Sequence, residues 1–312
     1  MTVRPILVAT DFSAPADEAI RWAHERAGRD GTRLCVCHVV PEQIRVNLLF
    51  PQRNVQVVDS GSELEQKAQR ALVQRTRELT GRESGDFDAL VAVGTPYAEI
   101  IGCAERIRAE LVVVAASGAT GLSRMLLGSV AEQVVRYAHA PVAVVRPAAR
   151  TGRVLVGTDL SDPSLPALAA AAREARRPGV RVTALHCIAL VDPVLPEYDM
   201  VWTGALDPEL LKQGRERARR ELSEALARIP LEAETSIVEG AAAPEIVSCA
   251  EELGAELVIV ATRGRSGLSR VVLGSVAESV VRHAPCPVLV VRLSSQDAVG
   301  EDAAPRARPA GR

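Results

Sequence analysis

The sequence predicts an α/β protein made of two tandem domains, each a parallel β-sheet with helices on both faces. First, residues 115–146 and 261–292 are identical at 21 of 32 positions with a constant offset of 146, which indicates a tandem duplication. Second, each half alternates short apolar runs with helical patterns, the rhythm of a parallel sheet. Third, hydrophobic residues make up 47% of the chain but aromatic residues only 3%, so the core consists of the aliphatic residues typical of buried parallel strands.

Five strands are predicted in each half. In the first half they cover residues 4–9, 33–40, 86–93, 111–115 and 142–146. In the second half they cover residues 153–157, 181–187, 231–238, 257–261 and 288–292. The pairs Thr95-Pro96 and Asp207-Pro208 predict helix starts, because each places a capping side chain before a proline at the first helical position.

The repeat divides the 312 residues into a first domain at 1–147 and a second at 153–293, both of ordinary domain size. Residues 294–312 have no apolar periodicity and are expected to form a disordered tail. The irregular stretches 41–61 and 190–205 differ between the halves and are expected to be loops that gate a ligand. The last strand of each half is an aliphatic edge that needs covering, so we expect the two edges to pair.

Composition excludes several classes of protein. A net charge of −2 with interspersed charges argues against a nucleic-acid surface, which needs concentrated positive charge. There is neither a run of about 20 apolar residues nor a signal-peptide pattern, so a cytoplasmic protein is expected. The six cysteines show no zinc or disulfide spacing. Cys35 and Cys37 share one strand face, where redox or metal chemistry stays open beside the favoured interpretation as small buried hydrophobes.

A matched tetrad ends the first strand of each half: Thr10-Asp11-Phe12-Ser13 and Thr158-Asp159-Leu160-Ser161. Open parallel sheets bind ligands beyond the carboxyl ends of strands, where strand order reverses. If the first and fourth strands are neighbours there, Asp11 faces the loop at Gly118, and Asp159 faces the loop at Gly264. The carboxylate suits a ribose hydroxyl or a base amine; its alternative role is to cap a helix or form a turn.

Two glycine elements follow the fourth strand of each half. Gly118 and Gly264 allow the backbone to approach an anion closely, although a plain tight turn would also explain them. Gly-Ser then opens a helix, whose free N–H groups and positive dipole end attract phosphate. These helix starts are Gly128-Ser129 and Gly274-Ser275.

With these residues the chain resembles the universal stress protein family in its tandem two-domain form, over about residues 3–146 and 153–292. The family's nucleotide motif reads Gly, two residues, Gly, nine residues, Gly, then Ser or Thr. Both halves match its second, longer part. The first motif glycine is replaced by Ala115 and Ala261, and a methyl group there is tolerated at little cost only if the backbone φ is negative.

The resemblance implies a doubly wound fold with strand order 3-2-1-4-5 in each half and ATP or a related adenine nucleotide, with or without Mg²⁺, as the ligand. It also implies an internal pseudo-dimer of the two halves and the possibility of a larger homo-oligomer. The family's binding positions carry over onto Asp11, Val39, Gly118, Gly128, Ser129 and Val130 in the first half, and onto Asp159, Cys187, Gly264, Gly274, Ser275 and Val276 in the second.

The two loops differ in charge. Arg263 and Arg265 offer two guanidinium groups for bidentate phosphate contacts beside Gly264, and no arginine stands at the matching positions of the first half. We therefore expect the second half to bind nucleotide more tightly, with solvated loop charge as the alternative explanation of the arginines.

Catalytic residues are not legible as a matched set, because a Walker lysine and an evident general base are both missing from the sequence pattern. The sequence therefore predicts a stress-response regulatory protein that binds an adenine nucleotide. Two alternatives stay open: a scaffold with vestigial nucleotide pockets, and a slow ATPase or ATP-dependent transferase.

Overall fold

The computed structural model describes residues 4–41, 61–118, 127–188, 208–262 and 273–292. The first half runs through β1 Ile6–Thr10, α1 Ala14–Asp30, β2 Leu34–Pro41, α2 Gly61–Thr80, β3 Phe87–Gly94, α3 Pro96–Arg106, β4 Leu111–Ala115, α4 Ser129–Tyr137 and β5 Val142–Val145. The second half runs through β6 Arg153–Gly157, a 3₁₀ turn Asp162–Ser164, α5 Leu165–Ala175, β7 Arg181–Ile188, α6 Pro208–Ala227, β8 Glu234–Glu239, α7 Ala242–Leu253, β9 Leu257–Ala261, α8 Ser275–His283 and β10 Val288–Val291.

The ten predicted strands are confirmed. The largest difference lies at β8, which begins at Glu234 rather than at residue 231. Helix α3 begins at Pro96 as predicted, but the Thr95 side chain makes no capping hydrogen bond. Helix α6 begins at Pro208, whereas Asp207 lies outside the described residues. The predicted tail at 294–312, the loop at 190–205 and all but the ends of the loop at 41–61 also lie outside them.

The strands form one continuous sheet in the order β3-β2-β1-β4-β5-β10-β9-β6-β7-β8. Each half therefore has the order 3-2-1-4-5 that the family resemblance implied. Strand pairs within a half are parallel, whereas β5 and β10 pair antiparallel across the middle. Val144 lies opposite Val288 and Val142 opposite Val290. The expected pairing of the two aliphatic edges is confirmed, and it joins the two five-stranded sheets into one.

Helices cover both faces of the sheet, as expected for a doubly wound fold. One apolar layer lies between the sheet and α3, α4, α7 and α8, and the other lies beneath α1, α2, α5 and α6. Successive strand residues alternate between the layers: Leu7 packs on the first, whereas Ile6 and Val8 pack on the second. All three are completely buried. This explains why the strands read as continuous apolar runs in the sequence.

Arginines at the ends of the two central strands fasten the halves crosswise. The Arg146 guanidinium, just after β5, donates to carbonyl oxygens at the end of α8, at 2.7 Å from Val281 O. Arg292, just after β10, donates to Arg136 O at the end of α4, at 2.7 Å. A cation at a helix C-terminus satisfies unpaired carbonyls and interacts favourably with the helix dipole. Each half therefore supplies the arginine that caps the C-terminal end of a helix in the other half.

Candidate functional site

Strand order reverses between β1 and β4 in the first half and between β6 and β9 in the second. β1 pairs with β2 on one side and β4 on the other, so the connections leaving β1 and β4 go to opposite sides of the sheet. β6 has the same position between β7 and β9. Such a reversal opens a crevice at the carboxyl ends of the strands. Each tetrad lies at the mouth of this crevice.

The first tetrad forms a tight turn held by its own side chains. Asp11 Oδ1 accepts hydrogen bonds from Ser13 N at 3.0 Å and from Ser13 Oγ at 2.5 Å. Thr10 Oγ1 accepts a hydrogen bond from Phe12 N at 3.0 Å. Phe12 adopts a left-handed φ of 63°, which is unusual for a bulky residue. The turn-forming role considered for Asp11 is therefore real, and it uses one carboxylate oxygen.

The second tetrad repeats this turn. Asp159 Oδ1 accepts from Ser161 N at 3.1 Å and from Ser161 Oγ at 2.6 Å. Leu160 N donates to Thr158 Oγ1 at 3.1 Å, and Leu160 also has a φ of 63°. Strained backbone of this kind costs about 1–3 kcal/mol and tends to occur where a site must be held in place. Neither phenylalanine nor leucine favours a left-handed backbone, so the sequence does not predict this conformation.

The other Asp11 oxygen lies against Gly118, as expected from the strand order. A β-carbon at position 118 would lie 2.5 Å from Asp11 Oδ2, too close for a real side chain. Gly118 does not have a left-handed φ, so the glycine provides room beside the exposed carboxylate rather than a special backbone angle. The equivalent Gly264, with Arg263 and Arg265, lies outside the described residues.

Gly128 and Gly274 start helices α4 and α8. Gly128 N donates to Ala116 O at 2.7 Å, and Gly274 N donates to Thr262 O at 2.8 Å. Neither helix has a side-chain cap at this position. Ser129, Val130, Ser275 and Val276 are exposed at the first turns of the two helices. The amides of an uncapped first turn are available to an anion.

Glutamates in these first turns point their charge toward the other half. Glu132 pairs with Arg282 at 3.5 Å, and Glu278 pairs with Arg136 at 3.4 Å. Each glutamate also pairs with the arginine four residues later in its own helix. Arginines neutralise both carboxylates. The carboxylates therefore cancel less of the positive end of each helix dipole.

Val39 and Cys187, the positions expected to line an adenine ring, occupy equivalent places near the ends of β2 and β7. Val39 is buried and Cys187 is half-buried. Burial raises the pKa of the Cys187 thiol to about 12, so it is a neutral, weakly polar group at neutral pH. Both side chains are therefore uncharged, which is compatible with an aromatic base beside them.

The preceding histidines brace the same strand ends. His38 Nδ1 lies 2.8 Å from Thr10 O, and His186 Nδ1 lies 2.9 Å from Thr158 O. Because a carbonyl can only accept, Nδ1 carries the proton in both rings. The Phe12 ring lies 4.4 Å from the His38 ring. These contacts fix the position of the residue before each aspartate.

Ala115 and Ala261 replace the first glycine of the family motif without backbone strain. Both are the last residues of extended strands, β4 and β9. Within the described residues, the non-glycine positions with positive φ are Phe12, Arg108 and Leu160. Alanine is therefore tolerated at both motif positions, which was the condition set by the sequence.

The described part of the chain contains no group of three or more His, Cys, Asp or Glu side chains placed to hold a metal ion. Its helices include none with the length and apolarity needed to cross a membrane.

Comparison with known proteins identifies relatives along nearly the whole chain. The model of the Universal stress protein family matches twice, at residues 2–146 and 151–292. A universal stress protein of Mycobacterium tuberculosis is 32% identical over 304 residues, covering 93% of this chain and 97% of the relative. One from Mycolicibacterium smegmatis is 30% identical over 302 residues, covering 92% of this chain and 96% of the relative.

A solved structure shares the whole two-domain arrangement. The crystal structure of a universal stress protein from Archaeoglobus fulgidus aligns with a TM-score of 0.63 and 22% identity. The alignment covers 94% of this chain and 99% of that chain. At this identity the likeness establishes the fold.

Proposed function

Because this chain belongs to the universal stress protein family, we propose that it is a stress-response regulatory protein that binds ATP or a related adenine nucleotide. The observation that carries the proposal is the contact between Asp11 and Gly118 at the point where strand order reverses. A carboxylate held by its own turn faces a loop that has room only for glycine. An uncapped helix start follows in the same half.

These residues fit the parts of an adenine nucleotide. Asp11 and Asp159 would accept hydrogen bonds from ribose hydroxyls, because an ionised carboxylate is an acceptor only. Val39 and Cys187 would contact the base through apolar surface. The backbone around Gly118, with the amides that follow Gly128 and Gly274, would bind the phosphates. Any Mg²⁺ would be held mainly by the phosphates themselves.

We also propose that the second half is the stronger site. Arg263 and Arg265 flank Gly264 in the sequence, and a guanidinium can bind a phosphate with two parallel hydrogen bonds. The matching residues Ser117 and Ala119 have no charge. Two charge-assisted contacts would raise affinity by one to two orders of magnitude, since each is worth about 1.5–3 kcal/mol before the cost of ordering the side chain.

Calorimetric titration of the full-length protein with ATP tests both proposals. We expect two classes of site. In the Gly118→Leu variant the weaker class is lost, because the added side chain fills the space beside Asp11. In the Arg263→Gln/Arg265→Gln variant the tighter class weakens by about tenfold or more.

Arg228→Gln is the matched control for lost charge. Arg228 is exposed and follows α6, at the opposite edge of the sheet from the crevices, so both affinities should stay unchanged. Loss of the tighter class in Gly118→Leu would reverse the assignment of the two sites.

The alternatives predict other results. A scaffold with vestigial pockets would yield no nucleotide on denaturation and no heat on addition of ATP. An ATPase or ATP-dependent transferase would release phosphate from Mg-ATP, or transfer a group to an added acceptor, with turnover lost in the same variants.

A further inference from the structure

Two cysteines that the nucleotide site does not use meet in the core of the first half. Cys37 on β2 donates its thiol hydrogen to Cys103 Sγ on α3, with the two sulfur atoms 3.7 Å apart. Both residues are fully buried, and α3 packs directly on β2. The sequence suggested only that Cys35 and Cys37 share a face; the packing of α3 supplies a thiol partner for Cys37.

An exposed arginine, Arg106, contacts Cys103. Its Nη2 donates to Cys103 Sγ at 3.0 Å, from one turn further along α3. Arg106 itself is exposed, so a side chain that reaches solvent contacts the buried Cys103 sulfur. The hydrogen bond from Cys37, together with the charge of Arg106, lowers the pKa of Cys103 to about 7. The hydrogen bond to Cys103 and burial raise the pKa of Cys37.

The second half differs at two of the three equivalent positions. With the offset of 148 that relates the histidines His38 and His186, Cys37 corresponds to Leu185. With the offset of 146, Cys103 corresponds to Cys249 and Arg106 to Glu252. Burial and then the Glu252 carboxylate raise the pKa of Cys249. The second half thus lacks both the partner thiol and the cation.

We propose that Cys37 and Cys103 form a dithiol that hydrogen peroxide oxidises to a disulfide, confined to the first half of the molecule. Closing the bond brings the sulfur atoms from 3.7 Å to about 2.05 Å. The product would fasten α3 to β2, the strand that ends beside the first crevice.

The oxidation balances with one peroxide molecule. The Cys103 thiolate attacks one peroxide oxygen, the O–O bond breaks, and the departing hydroxide takes up a proton to become water. Cys103 is then a sulfenic acid, two electrons more oxidised. The Cys37 sulfur attacks the Cys103 sulfur and the S–O bond breaks. The departing hydroxide leaves with the Cys37 proton as a second water.

The nearby Cys35 and the other described thiols lack this combination. Burial raises the pKa values of Cys35 and Cys286 to about 12, and the same cause raises that of Cys187 to about 12. Thiols of this kind are poor nucleophiles at neutral pH, because the thiolate is the reactive form. The first attack is therefore assigned to Cys103, the thiol that both Cys37 Sγ and Arg106 Nη2 contact.

Mass spectrometry of the full-length protein after treatment with hydrogen peroxide tests the proposal. Free thiols are alkylated in denaturant, and the protein is digested without reduction. We expect a loss of two hydrogens and a cross-linked peptide pair whose fragments place the bond between Cys37 and Cys103. Full alkylation of both cysteines after treatment, or a bond from Cys35 instead, would overturn it.

Two variants place the residue types of the second half at the equivalent positions of the first half. Cys37→Leu should form no disulfide, and Cys103 should be oxidised more slowly because the hydrogen bond that lowers its pKa is lost; dimedone should trap the Cys103 sulfenic acid that does form. Arg106→Glu, at an exposed position that does not endanger folding, should slow oxidation at pH 7 by about tenfold because the thiolate fraction falls. An unchanged rate in Arg106→Glu would overturn the assignment of the first attack to Cys103. None of these readouts depends on nucleotide binding.

Discussion

The two halves build the same aspartate turn but begin the following helix differently. In the first half Ser13 Oγ accepts a hydrogen bond from Ala16 N at 3.3 Å and so caps α1 directly. In the second half Ser164 Oγ bonds to Thr158 Oγ1 at 2.8 Å, and a 3₁₀ turn precedes α5. The aspartate and its serine keep the same geometry in both. The turn is therefore fixed by its own Thr, Asp and Ser side chains, independently of the helix that follows.

Helices α1 and α5, which meet where the halves join, carry opposite charges at one equivalent position. Arg26 and Glu174 occupy equivalent positions, related by the same offset of 148 as the two aspartates. They form a buried ion pair with each other. Glu174 also pairs with Arg177 at 3.1 Å, and Arg26 with Asp30 at 2.6 Å. Pairing either half with a copy of itself would place like charges together in a buried position, so this contact favours pairing of the two different halves.

Reversing one charge should produce the largest effect on this contact. In Glu174→Arg the new guanidinium faces Arg26 and Arg177, and we expect the free energy of unfolding to fall by about 3–5 kcal/mol, as when a buried pair loses a partner. Urea unfolding followed by circular dichroism measures it.

The double reversal Arg26→Glu/Glu174→Arg should recover part of this loss, because opposite charges face each other again. Glu224→Arg, the same change at an exposed position, should shift the free energy of unfolding by no more than about 0.5 kcal/mol. Equal stability of the single and double reversals would show that the pairing contributes nothing specific.

The sequence predicted the fold and the meeting of Asp11 with Gly118 because both follow from local patterns. Aliphatic runs mark the strands, and residues at the carboxyl ends of neighbouring parallel strands must lie close together. The strand order itself came from the family resemblance. The sequence also placed Gly128 correctly at a helix start.

Other features of the site could not be predicted, for physical reasons. The left-handed backbone of Phe12 and Leu160 leaves no signal, because neither residue type favours it. The contacts of Cys37 with Cys103 and of Arg26 with Glu174 depend on how a helix is rotated on the sheet. Helix rotation is set by packing over many side chains rather than by spacing along one segment.

Alanine substitutions at the two helix-start glycines should destabilise the protein to different extents, by a smaller amount than the charge reversal. A β-carbon at Gly274 would lie 3.0 Å from Thr262 O, whereas one at Gly128 would lie 3.5 Å from Ala116 O. Both variants lose a favourable capping residue, but only Gly274→Ala forces the backbone apart. We expect Gly274→Ala to lower the free energy of unfolding by about 1 kcal/mol more than Gly128→Ala does, at the low end of the range for overpacking. Thermal unfolding of the two variants under matched conditions measures the difference, and equal losses would show that the loop before α8 adjusts freely.

The smallest effect is expected where the two halves end equivalent helices with different residues. Arg108 follows α3 with a φ of 53°, and the equivalent Gly254 follows α7 with a φ of 57°. The next residues close the same hydrogen bond in both, from Ala109 N to Ala104 O at 2.8 Å and from Ala255 N to Ala250 O at 2.9 Å. The left-handed position after a helix favours glycine, because a β-carbon there crowds the following carbonyl.

Arg108→Gly should therefore raise the free energy of unfolding by about 0.5–1 kcal/mol, the steric relief being partly offset by the greater freedom of glycine in the unfolded chain. Arg108→Ala removes the same charge but keeps the β-carbon, and it should bring no such gain. In the second half, Gly254→Arg should lower the free energy of unfolding by a similar amount. If Arg108→Gly and Arg108→Ala stabilise the protein equally, the gain comes from removing a charge, and the two helix ends do not differ in backbone strain.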